Sequence, residues 1–207
     1  MKKQVSLAIL LSLFVAIPQL SAQEAEQENE PIAFAVADEG LQFQAPGTWT
    51  KVQPRITFIE AEFSIPKVDG DPKNGRLTVM GAGGTIEANV ERWEGQFGGA
   101  EATVEPIEVA GLSVKMVDIT GTYTDSVGGP MNPNTKKVLR EDYRMIAAII
   151  QAGDKGNYFV KFYGPGNTVE QNLEGFKTMI NGLVVVEGDE ESPAPSVGSD
   201  TKGSDTK

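Results

Sequence analysis

Any chemistry in this chain must be done without histidine or cysteine, because the sequence contains neither. That removes Ser-His-Asp and Cys-His mechanisms, thiolate metal sites and disulfides. It also removes the commonest general base and a common zinc ligand. Among the residues left, paired carboxylates are the candidates for acid–base chemistry. Acidic pairs occur at Glu60 and Glu62, Glu87 and Glu91, and Glu141 and Asp142. A glycoside hydrolase needs two carboxylates facing each other across a cleft. On an alternating strand, Glu60 and Glu62 read more simply as a solvated face.

Asp69, Asp71 and Asn74 lie in a Gly/Pro/Asn stretch that faintly matches a calcium loop. Lys73, Asn74 and Met80 occupy positions where that loop wants an oxygen ligand, glycine and glutamate. A surface turn is the simpler reading, with calcium at Asp69 and Asp71 as its alternative and no metal expected. Gly81-Ala82-Gly83 sits between a strand and a helix, but Ile86 stands where a dinucleotide fingerprint has its third glycine. No cofactor is expected. Trp93 belongs to a helical stripe and reads as core. Tyr123 and Tyr163 sit near loop ends and are the candidate contact residues for a ligand or partner.

The elements that must position these residues follow from periodicity. Ile32-Phe34-Val36, Leu41-Phe43 and Thr57–Ile65 alternate as strands, the last with Phe58, Ala61 and Phe63 among Glu60, Glu62 and Ser64. Leu77–Met80 is a further strand. Ile86, Val90, Trp93 and Phe97 fall on one helical face, ended by Gly98-Gly99. Ala102–Val109 and Leu112–Tyr123 pair across Ala110-Gly111, and Asp125–Lys137 reads as a long loop. Met145–Ile150 is apolar at every position, so it needs cover on both faces. Tyr158–Tyr163 returns antiparallel after the turn at 154–157. Thr168 and Gln171 fit a capping box for a closing helix that carries Val169, Leu173, Phe176, Met179, Ile180 and Leu183. Gly182 is placed to end it. The expected fold is α+β, a three-layer α/β/α sandwich around a mainly antiparallel sheet.

Residues 1–22 read as a signal peptide. Lys2 and Lys3 precede the apolar run Val5–Ile17, and Leu20-Ser21-Ala22 offers a cleavage site. The run is too short to span a membrane. Residues 23–31 read as a polar linker, 32–186 as the folded domain, and 187–207 as a low-complexity tail with a repeated Gly-Ser-Asp-Thr-Lys. The net charge is −11, and two units more negative without Lys2 and Lys3. Such a field repels phosphate backbones, so nucleic acid is not an expected partner.

Phe43-x-x-Pro46-x-x-Trp49 resembles the opening strand and turn of the PsbP-like fold. Lys161-Phe162-Tyr163-Gly164-Pro165, followed by Val169, Phe176, Met179 and Leu183, resembles its closing strand and helix, an ending shared by exported bacterial proteins of unknown function. The resemblance runs over most of Leu41–Val186. It implies an antiparallel sheet between helices and a non-catalytic role. The superfamily includes an extrinsic subunit of the photosynthetic water-oxidising complex and a Ran-binding nuclear transport factor, both protein binders; neither function transfers with the fold. The expected protein is therefore an exported, periplasmic or extracellular, non-catalytic binding module for an unknown protein partner. The alternatives are a carrier holding a small apolar ligand between sheet and helix, and then a carboxylate-dependent hydrolase.

Overall fold

A computed structural model describes residues 30–54, 56–127 and 135–186. The expected signal peptide at 1–22, residues 23–29 of the expected linker, the expected tail at 187–207 and residues 128–134 lie outside the described residues. Two antiparallel sheets form. The smaller has the order β1 (Ile32–Val36), β2 (Leu41–Ala45), β10 (Val184–Val185). The larger has the order β3 (Thr50–Val52), β4 (Ala61–Ile65), β5 (Gly75–Ala82), β9 (Asn157–Pro165), β8 (Lys136–Gln151), β7 (Leu112–Val127), β6 (Thr103–Val109). Every strand pair is antiparallel.

The apolar run 145–150 on β8 is covered on both sides. Ile146, Ala148 and Ile150 pack into one core with Leu77, Phe162, Phe176, Met179 and Ile180. Met145, Ala147 and Ile149 pack into a second core with Trp93, Phe97 and Phe159. Helix α1 (Ile86–Gln96) covers this second face. It starts at Thr85, whose hydroxyl accepts from the Ala88 amide, and ends where Gly98 and Gly99 take positive φ. The first face is covered by helices α2 (Gly166–Gln171) and α3 (Leu173–Asn181) together with the small sheet. Each large apolar side chain buried there contributes roughly 1.5–3 kcal/mol before entropy. The fold is α+β, with helices on both sides of a mainly antiparallel sheet.

Four local expectations are corrected. The strand expected over Thr57–Ile65 starts only at Ala61, because residues 57–58 form a turn, and Phe58 is 57% exposed. Thr50–Val52, unread in the sequence, supplies the edge strand instead. The two ends of the 125–137 loop are strand, since β7 runs on to Val127 and β8 begins at Lys136. The closing helix begins right after Pro165, so Thr168 falls inside its first turn and cannot cap it; Asn172 then divides the expected single helix in two. Gly182 does end α3, its amide donating to the Thr178 carbonyl at 2.9 Å.

Candidate functional site

Helix α1 is about 16 Å long at 1.5 Å per residue and lies over β7, β8 and β9. On the same sheet face no helix among the described residues lies over β3, β4 or the part of β5 before Ala82. Their register sets out two cross-strand rows there: Met145, Tyr163, Arg76, Ser64 and Thr50, and Ala147, Lys161, Thr78, Glu62 and Val52. The alternate residues Phe63, Leu77 and Phe162 point into the first core. The uncovered part of the face forms the floor of an open groove of about 2000 Å³. Its sides come from Arg92, Gly95 and Gln96 of α1, from Phe58 and from the β7–β8 arm.

Tyr123 and Tyr163, the two contact residues expected from the sequence, both line this groove, with ring centroids 5.1 Å apart. They lie within β7 and β9, not at loop ends. Tyr143, which sequence reasoning did not select, joins them; its ring stacks on Tyr123 at 5.8 Å and 2°. Burial pushes the Tyr123 phenol well up, and Tyr163 and Asp125 push the same way, so it stays protonated. Burial likewise raises Tyr143. Its hydroxyl is shielded from solvent and has no hydrogen-bond partner among the described residues.

A bulge makes this arrangement possible. Gly121 pairs with Tyr143 while Tyr123 pairs with Arg140, so Glu141 and Asp142 oppose Thr122 alone. Asp142 takes φ 55°, which absorbs the extra residue. Residues three apart on a regular strand face opposite ways. The bulge turns Arg140 and Tyr143 to the same face.

Arg76 is held by Glu62 through two bonds, Nε–Oε1 at 2.8 Å and Nη2–Oε2 at 2.9 Å, and its Nη1 donates to the Tyr163 hydroxyl at 2.9 Å. The Glu62 carboxylate raises the guanidinium pKa and keeps it charged. Glu62 is thus paired and buried, not solvated. Glu60 stands before the strand and accepts from the Ala37 amide at 2.7 Å, so the two glutamates serve different partners. Asp125 Oδ2 accepts from Lys73 Nζ at 3.3 Å and from Arg140 Nε and Nη2 at 3.3 and 3.2 Å.

Beside the groove, Lys161 is 8% exposed. Its Nζ donates to Gln96 Oε1 at 2.8 Å and lies 5.1–5.8 Å from the ring centres of Tyr163, Trp93 and Tyr123. No carboxylate pairs with it among the described residues. The rings favour an ammonium, yet burial pushes the amine down to about 7, and repulsion from Arg92 and Arg76 adds to that. Burial wins because one neutral acceptor replaces a full hydration shell.

Asp71, half of the calcium alternative, is committed elsewhere. Its Oδ2 accepts from the Thr168 amide at 2.8 Å and the Thr168 hydroxyl at 2.5 Å, and its Oδ1 from Asn167 Nδ2 at 3.2 Å. It anchors the start of α2 from a distant loop. Asp69 is exposed. Among the described residues no cluster of three or more acidic groups could hold a metal ion.

No family model and no curated protein matches the chain. Solved structures similar to it include that of a cyanobacterial PsbP, CyanoP, from Synechocystis sp. PCC 6803, with a TM-score of 0.48 and 10% identity over 83% of this chain and 98% of that one. A second is PA94 of Pseudomonas aeruginosa, a protein of unknown function described as a putative regulator, with 0.43 and 9% over 77% and 99%. A third is LpqN of Mycobacterium tuberculosis, described as involved in cell envelope biogenesis, with 0.46 and 9% over 81% and 97%. The likeness is one of fold alone.

Proposed function

We propose that this protein is an exported, non-catalytic binding module that receives its ligand or partner in the groove. The observation that carries the reading is a reversal of charge. On a chain of net charge −11, the groove is lined by Lys73, Arg76, Arg92, Lys137 and Arg140 against Glu62 and Asp125. Local fields of that kind steer complementary partners. Both carboxylates are engaged by cations, which speaks against the paired acid and base of a hydrolase. The layer between sheet and helices, where the carrier alternative would hold an apolar cargo, is filled by Trp93, Phe97, Phe162 and Phe176. Export rests on the basic and apolar start of the chain. No helix among the described residues is long and apolar enough to cross a membrane.

The absence of cysteine makes the test direct. A single cysteine at Ser126, in the groove, or at Glu105, on edge strand β6, would carry a photo-crosslinker in the protein's native setting. The reading expects a discrete adduct from Ser126→Cys and none from Glu105→Cys. Adducts from Glu105→Cys alone would place the binding surface on the sheet edge.

A further inference from the structure

We infer that the end of the groove formed by Lys73, Asp125, Arg140 and Tyr143 is a site for the oxyanion group, carboxylate or phosphate, of a small ligand. The inference rests on the groove being the binding site and adds what it binds. Three observations carry it. Asp125 offers one oxygen, Oδ2, to two cations, at 3.2–3.3 Å each, so the cluster holds one more positive charge than negative. Charge-assisted N–H···O⁻ bonds usually close to about 2.7–2.9 Å. A second anion would give Lys73 and Arg140 a partner each.

The second observation is the Tyr143 hydroxyl. It belongs to a side chain that lines the groove, on the same face as Arg140, and it is a buried donor without an acceptor. Native structures seldom leave such a group unsatisfied. An oxyanion bridging Arg140 and Tyr143 supplies the missing acceptor. Two carboxylates, Asp125 and Asp71, and the Tyr163 phenol also act on Tyr143; Asp125 is engaged by Lys73 and Arg140, and Asp71 by Thr168 and Asn167.

The third observation decides the size of the ligand. The cation excess is local, while the chain carries net charge −11. Screening confines a surface charge to about 10 Å at 0.1 M salt. A small oxyanion fits inside that range. A long polyanion such as nucleic acid runs beyond it and meets the acidic remainder of the molecule.

The test titrates the full-length protein, ¹⁵N-labelled, with inorganic phosphate, with citrate and with a polyglutamate peptide. Chloride balances the ionic strength in each arm. The inference expects saturable shifts at Lys73, Arg140 and Tyr143 with phosphate or citrate, and the stronger of the two names the anion class. Tyr143→Phe should weaken that binding about 5- to 10-fold and leave Tm unchanged or raised, because it deletes a hydroxyl with no partner. Arg140→Gln should weaken it at least as much. The inference is overturned if phosphate and citrate shift nothing beyond chloride, or if both substitutions leave the affinity unchanged. It is also overturned if only polyglutamate saturates. In any of these cases a Ser126 adduct that persists keeps the groove as the binding site, and its loss would remove that reading too.

Discussion

Lys161 is the one charged side chain in the run Tyr158–Tyr163, and that was the sequence signal for its burial beside the Tyr163, Trp93 and Tyr123 rings. A lysine inside an apolar strand either reaches the surface or loses its charge cheaply. The sequence reading passed over it because its partners, Gln96 and Trp93, sit on a helix more than sixty residues away. The sign of its pH effect follows directly. The unfolded amine titrates near 10.5 and the folded one near 7. Between those values the unfolded chain holds a proton that the folded chain lacks, so stability rises with pH across that window. Urea unfolding from pH 7 to 9 should show wild type gaining about 1 kcal/mol per pH unit relative to Lys161→Met. Parallel profiles would mean that the amine titrates normally.

Asp71 shows the same sign in the acid range. Burial alone would raise its pKa, but hydrogen bonds from Thr168 and Asn167, with Lys67 nearby, bring the net shift below the usual value. Its contribution is present above the unfolded pKa near 3.8 and is lost as pH falls through the lower folded value. Asp71→Ala should cost about 2–3 kcal/mol at pH 7, since it strands a buried amide and hydroxyl of Thr168. An acid titration of the variant should also lack the wild-type loss in that range. The anchoring role of Asp71 was not legible, because spacing along a loop does not reveal a partner 97 residues away.

At the scale of elements, the strands with strict alternation and the helix stripes were legible, and their ends were not. The doubly apolar run 145–150 required two covers and has them. What stayed hidden were features set by tertiary contact. Residues 125–127 and 136–137 are polar or charged apart from Val127, so they read as loop, yet cross-strand pairing holds them in a hairpin arm. The close approach of β5 and β9 is another such feature. A Cβ at Gly164 would lie 2.9 Å from the Gly75 Cα, backbone against backbone. Gly164→Ala should therefore cost on the order of 1–3 kcal/mol by thermal or urea unfolding. Gly83→Ala, with open space around it, provides the control and should change stability far less.

At the scale of the molecule, one asymmetry accounts for the site. The seven-stranded sheet has helix and small sheet across its first face, but α1 reaches only part of the second. The alternation in β4, β5 and β9 anticipates this, with Glu62, Ser64, Arg76, Thr78, Lys161 and Tyr163 on one side of an otherwise apolar set of strands. Tyr123 and Tyr163 were legible as contact candidates by residue type. Their meeting with Tyr143, Arg76 and Arg140 depends on strand order and on a bulge, which no local pattern encodes.

The openness of that face is the claim on which the binding site stands, and thiol labelling measures it. Single-cysteine variants Ser64→Cys, on the groove floor, and Leu77→Cys, on the buried face, would be reacted with a small thiol reagent in the full chain under native conditions. Ser64→Cys should react within about tenfold of an exposed reference cysteine at Glu105, while Leu77→Cys should wait for unfolding. If Ser64→Cys is protected as strongly as Leu77→Cys, the face is covered and the groove is not a binding site.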